Sequence, residues 1–224
     1  MKKIILASAS PRRRELLAQI GLEFTVMPSD VEENPASTLP QDMVIELSKE
    51  KARDVWGKLG EGDIDDTKHD VSVTIEDRQK IWNTECLGDR STCLVISADT
   101  VVAIEGEILG KPKDAEDAVR MLSLLSGKEH QVYTGVTMIW VDDTGEQKEY
   151  SFYVCTGVLM YRMNREEITA YVRSGEPMDK AGAYGVQGRA AAYIKSLRGE
   201  YSNVVGLPVG RLYQEMKAWG LIQE

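Results

Sequence analysis

The hydrophobic positions along the chain alternate between extended and helical spacing. "KKIILA" at the start is a short apolar strand. In "SPRRRELLAQIG", Leu16, Leu17 and Ile20 recur at helical intervals and Gly21 marks the stop. "FTVMPS" predicts a second short strand, and "VEENPASTLP" predicts a loop. From about Gln41 to Trp56, Val44, Leu47 and Val55 form the apolar stripe of a second helix. Ser48 and Lys51 lie on the same side of it. A lysine there either snorkels past the core or faces a site, and the pattern weighs the two equally.

Residues 57 to 92 change character. They are polar, mixed in charge and weakly periodic, and they read as an insertion or lid within a single domain spanning 1–224. "VSVTI" predicts a short strand there and "EDRQKIWNTE" a short helix; a disordered excursion is the alternative. "CLVISADTVVAIEGEILG" then reads as one buried strand. "DAEDAVRMLSLLSG" predicts a helix with Met121, Leu122 and Leu125 inward and Gly127 as its stop. "QVYTGVTMIWV" and "YSFYVCTGVLMYRM" predict long strands joined by a hairpin at "DDTGEQK". "NREEITAYVRSG" predicts a helix capped by Asn164, with Glu167 completing a capping box. "EPMDKAGAYGVQG" is glycine-rich and breaks the pattern. "AAYIKSL" predicts a strand, and "PVGRLYQEMKAWG" a last helix with Pro208 near its first turn. This order of elements implies α/β or α+β with a mixed sheet.

Composition narrows the class. A chain of 224 residues with 42% hydrophobic and 28% charged residues supports a conventional core. The net charge of -9 argues against nonspecific binding to nucleic acid or an anionic membrane. No apolar run approaches the roughly 18 residues of a membrane span. "MKKIILASAS" does not read as a signal peptide, because its apolar stretch is short and arginines follow at once. Cys86, Cys93 and Cys155 form no CxxC pair and read as free thiols in a reducing, cytoplasmic setting. With only His69 and His130 in support, a zinc site is not expected.

Against that acidic background, Arg12, Arg13 and Arg14 sit where a helix begins, the end that favours anions. Ser10 is a good N-cap and Pro11 a good first helical residue. The small loop Ser8-Ala9-Ser10 lets a ligand approach the backbone, so the arginines make sense beside a bound phosphate. Three solvated surface arginines are the plainer reading. The stretch is not a Walker A loop, and "GEILGKP" lacks the Ser or Thr that should follow Lys111. Asp99 follows the buried run "CLVIS" within two residues, where an acid must be paired, bound to metal, reactive, or a turn cap. Glu32 and Glu33 follow another strand and add oxygen ligands for a hard cation. Lys180 and Gln187 lie among Gly182, Gly185 and Gly188, which permit a tight loop near a ligand. The Gln187 amide offers both donor and acceptor to a base edge. Basic groups, carboxylates and glycine loops together suit phosphoanhydride chemistry on a nucleotide.

At "LASASPRRREL", "VEE", Lys51-Ala52, "SADTVV", "GEILGKP", "LLSGKEHQVYTGV", "SGEPMDKAGAYGVQG" and "NVVGLPV", in this order, the chain resembles the Maf-family nucleoside triphosphate pyrophosphatases. The resemblance covers nearly the whole chain except 57–92, which is longer than usual. It implies an elongated mixed sheet flanked by helices, with two lobes around a cleft, as in the related inosine triphosphate pyrophosphatases. It implies a cytoplasmic, often dimeric hydrolase that uses magnesium or manganese to release pyrophosphate from a nucleoside triphosphate. Asp99 matches the family's general base. Ser8, Arg12, Arg13, Glu33, Lys51, Lys111, Lys180 and Gln187 match its cleft positions, with Glu33 and Asp99 on the metal. Arg12, Thr100 and Gln187 resemble the branch acting on dTTP and UTP. The 7-methyl-GTP branch instead carries Trp, Gln and Glu at these positions. Glu32 stands where many members have Asp, which keeps the charge. A nucleotide-binding regulator of septum formation and a purine-directed pyrophosphatase are the competing readings.

Overall fold

The computed structural model describes residues 2–61 and 89–222. The predicted strand "VSVTI" and helix "EDRQKIWNTE" lie outside the described residues. Seven strands form one mixed sheet: β1 Lys3–Leu6, β2 Phe24–Val26, β3 Cys93–Ile104, β4 Glu107–Leu109, β5 Glu129–Val141, β6 Gln147–Met160 and β7 Ile194–Arg198. Their order is β2-β1-β3-β5-β6-β7, with β4 paired to β3. The pairs β2/β1 and β1/β3 are parallel, and all others are antiparallel. The helices are α1 Pro11–Gln19, α2 Pro40–Glu61, α3 Ala115–Leu125, α4 Arg165–Arg173, α5 Tyr201–Val205 and α6 Val209–Ala218.

Alternation along the long strands builds separate cores. On β3, Leu94, Ile96 and Ala98 pack with Leu16 and Leu17 of α1 and Leu212 and Met216 of α6. Cys93 and Val95 point the other way, onto Ala52 and Val55 of α2. Farther along β3, Val102 and Ile104 join Met121, Leu122 and Leu125 of α3 and Ile168 and Val172 of α4 in a second lobe. Thr100 interrupts this apolar face where one lobe ends and the other begins.

Side-chain caps start α1 and α4 as the sequence predicts, and α3 has one as well. Ser10 accepts from the Arg13 amide with Pro11 following it, Asp114 accepts from the Asp117 amide, and Asn164 and Glu167 close a capping box. Three elements differ from expectation. α2 continues past Trp56 because Leu59 extends the stripe one turn beyond Val55 and is fully buried. The run from Cys93 to Gly110 is two strands, since the chain turns at Glu105–Gly106 and β4 pairs back on β3. "AAYIKSL" begins as a 3-10 turn, Arg189–Tyr193, before β7 forms.

Candidate active site

The site lies in a gap along one edge of β3. β1 pairs with that edge up to Leu6–Ile96, and then its chain turns away into the Ala7–Ser10 loop. β4 resumes the pairing only at Val102–Leu109. Between them, residues Ser97 to Val101 have no partner strand on that side, and Asp99 stands at the centre of the opening. The loops after the parallel strands β1 and β2 rim it, the usual place for ligands in such sheets. The cavity there is about 820 Å3, within the range that holds a nucleotide-sized ligand.

α2 supplies the charge at the base of the cleft. It crosses the sheet over Gly135, which pairs with Asp99; any Cβ at Gly135 would overlap the Val44 carbonyl. Ser97 Oγ donates to the Ser48 carbonyl at 2.5 Å, and Ser48 Oγ meets Thr137 Oγ1 at 2.8 Å. One turn on from Ser48, Lys51 Nζ lies 2.6 Å from Asp99 Oδ1 and 2.8 Å from Glu33 Oε1. Lys51 therefore faces the site. Burial opposes ionisation of Glu33, but the hydrogen bond and charge of Lys51, with Lys111 and Arg13 beyond, hold its carboxyl below the usual range. Glu32 is exposed and outside the cavity lining.

The three arginines have three different fates. Arg14 is exposed. Arg12 crosses the cleft to Asp179 Oδ2 at 2.8 Å. Arg13 folds inward and donates to the Gly206 carbonyl at 2.8 Å and to Ser8 Oγ and Thr100 Oγ1 at 3.2 Å each. Burial lowers its pKa, and the nearby Asp99 carboxylate opposes that shift. Arg13 thus ties the β1 loop, β3 and the α5–α6 turn together, a role not visible in "SPRRR". Removing it takes the donor from the Gly206 carbonyl, while Thr100 Oγ1 keeps Thr134 Oγ1 and Ser8 Oγ keeps the Ser10 amide. Arg13→Ala should cost about 2 kcal/mol and lower Tm by about 4–8 °C without ligand, read from a thermal melt. An unchanged or higher Tm would show that the clamp contributes nothing to folding.

The second lobe brings the remaining expected residues to the same cavity. Lys111, after β4, lines it, as do Lys180 and Gln187 of the glycine loop. Lys180 Nζ donates to the Glu176 carbonyl and to Asp179 Oδ1, both at 2.7 Å. Asp179 escaped the sequence reading. Burial raises its pKa, but the hydrogen bonds from Lys180 and Arg12 outweigh this and set it at about 2. All ten residues singled out as catalytic, metal-binding or substrate-binding line this cavity: Ser8, Arg12, Arg13, Glu33, Lys51, Asp99, Thr100, Lys111, Lys180 and Gln187.

The donor set also fits a hard cation. Glu33 and Asp99 aim their oxygens at one point of positive charge, now the Lys51 ammonium. Among the described residues, no group of three or more His, Cys, Asp or Glu could hold a metal. Two carboxylates suit magnesium, which takes few protein ligands and completes its shell with water and phosphate oxygens.

The chain is similar to known proteins along its length. A family described as Maf-like protein matches residues 3–219. A dTTP/UTP pyrophosphatase of Agathobacter rectalis is 52% identical over 99% of this chain and 99% of its own. Proteins of the same name from Lachnoclostridium phytofermentans and Carboxydothermus hydrogenoformans are 44% and 43% identical, covering 99% and 97% of this chain and 97% and 99% of theirs. A looser likeness links the chain to a solved nucleoside-triphosphatase / dITP/XTP pyrophosphatase of Mycobacterium abscessus. It has a TM-score of 0.40 and 12% identity over 99% of this chain and 98% of that one, and no argument rests on it. With the family matched from the first strand into the last helix, and relatives this similar along their full length, the chain belongs to the Maf family.

Proposed function

We propose that this protein hydrolyses dTTP and UTP to the monophosphate and pyrophosphate in the cytoplasm, with magnesium or manganese as cofactor. The observation that carries the reading is Asp99, a carboxylate at an unpaired strand edge, facing a cavity rimmed by Arg12, Arg13, Lys51, Lys111 and Lys180. The names of relatives up to 52% identical support the substrate class. Asp99 is the base that takes a proton from the attacking water. Lys111, Lys180 and the two arginines neutralise the triphosphate. Glu33 and Asp99 would hold the cation, which would supply charge stabilisation at the phosphate oxygens. Gln187 reads the base. The test is pyrophosphate release from dTTP, UTP, CTP, GTP and ATP with magnesium or manganese. We expect dTTP and UTP to exceed the purines by about tenfold or more in kcat/KM. Equal rates on GTP would sink the pyrimidine reading.

Arg12 gives a second test, because its partner is the exposed carboxylate of Asp179. That surface pair is worth at most about 1 kcal/mol, so Arg12→Ala should melt within a few degrees of wild type. Loss of a charge-assisted contact to phosphate should raise KM for UTP about tenfold to a hundredfold. A wild-type KM would leave Arg12 with no part in binding.

A further inference from the structure

We infer that Glu176, together with Tyr171, is the positioning pair that fixes the presentation of Gln187 and thereby the base preference of the cleft. The inference rests on the base-reading role of Gln187 proposed above. A primary amide has a donor end and an acceptor end and exposes either one by flipping. Discrimination between bases therefore requires that the amide's backbone be held. Gln187 is exposed at the cleft and has no hydrogen-bond partner among the described residues. Its position is set by its neighbours.

Those neighbours are tied at two points. Behind Gln187, the Arg189 amide donates to Glu176 Oε2 at 3.1 Å. Ahead of it, the Gly185 amide donates to the Tyr171 hydroxyl at 3.2 Å, and that hydroxyl donates to Glu176 Oε1 at 2.9 Å. Gly188 closes the loop upon itself through its amide and the Gly185 carbonyl, at 3.1 Å. The Glu176 carboxylate occupies the space that a Gly188 side chain would need, so the glycine is the condition for this contact. Tyr171 is 4% exposed and belongs to α4, the helix anchored by the Asn164–Glu167 capping box. Burial, with Glu176 adding to it, raises the phenol pKa, so the hydroxyl keeps its proton and remains a donor. The loop is thus referenced to a rigid helix, while the Gln187 side chain stays free for a ligand.

The test compares kcat and KM on UTP, dTTP, CTP and GTP for wild type, Gln187→Ala, Glu176→Ala, Glu176→Gln and Tyr171→Phe, with a melt of each. Glu176→Ala should raise KM for UTP about tenfold, the scale of one or two lost hydrogen bonds, with kcat within about twofold. Its UTP-to-GTP preference should fall toward that of Gln187→Ala. Glu176→Gln keeps the volume and one acceptor oxygen and should fall between Glu176→Ala and wild type. Tyr171→Phe should shift the preference the same way, and it stands in if Glu176→Ala fails to fold. A wild-type preference in Glu176→Ala and Tyr171→Phe, with Gln187→Ala having lost it, overturns the positioning role. An equal loss on all four nucleotides with a lowered Tm also overturns it. A wild-type preference in Gln187→Ala overturns the base-reading role beneath it.

Discussion

Asp99→Asn should lower UTP turnover by about two to four orders of magnitude while nucleotide binding survives. Asp99 is 7% exposed, on the stretch of β3 that neither β1 nor β4 covers, so its carboxylate meets the cavity at a fixed position. An amide there keeps the volume and an acceptor for Lys51 but cannot take a proton from water. Lys51 also keeps Glu33 as a partner, so the fold should lose no more than about 2 kcal/mol. Removing a negative charge that faces phosphates should leave affinity unchanged or improved. Single-turnover kinetics and calorimetric titration with UTP separate the two effects. Turnover within tenfold of wild type would remove Asp99 from the chemistry; a parallel loss of binding would make it a structural residue.

Excess chelator should cut turnover at least about a hundredfold, and magnesium or manganese should restore it. A triphosphate entering this cleft meets Glu33 and Asp99, which share the single ammonium of Lys51 and keep a net negative charge. Without a further cation, two carboxylates face the phosphate charge in a partly desolvated cavity, where repulsion is poorly screened. Glu33→Gln should raise the metal concentration needed for half-maximal rate, because one of the two carboxylates is lost. That titration, read at saturating UTP, separates a metal ligand from a residue that only orients Lys51. Full activity in chelator would dispose of the cation-bridged reading, and an unchanged metal requirement in Glu33→Gln would take Glu33 out of it.

The residues carried by the Maf-family motifs come together in one cavity, yet their partners came out differently from the local reading. Arg12 and Arg13 looked equivalent in "SPRRR". One now pairs with an exposed carboxylate of the other lobe, and its neighbour is a hydrogen-bonded clamp. Removing Arg13 costs the contacts to Gly206, Ser8 and Thr100, which outweigh the unfavourable placement of a cation at a helix start. Asp179 and Glu176 carried no signal strong enough to single them out beside Lys180, because acids in a polar loop are commonplace.

The sequence by itself determined most of the strands and helices in their order, apart from the β3–β4 turn and α5, the caps at Ser10 and Asn164, and the chemical types gathered for the site. These depend on periodicity and on contacts within one turn, which a linear pattern records. The tertiary structure alone decided that Lys51 faces Asp99 instead of snorkelling, and that Arg13 reaches Gly206. It also decided that β1 stops pairing before β4 begins, which opens the edge of β3 at Asp99. Each of these joins residues far apart in the chain. The outcome is set by where neighbouring strands end and how closely α2 packs over Gly135, and no local spacing encodes those distances.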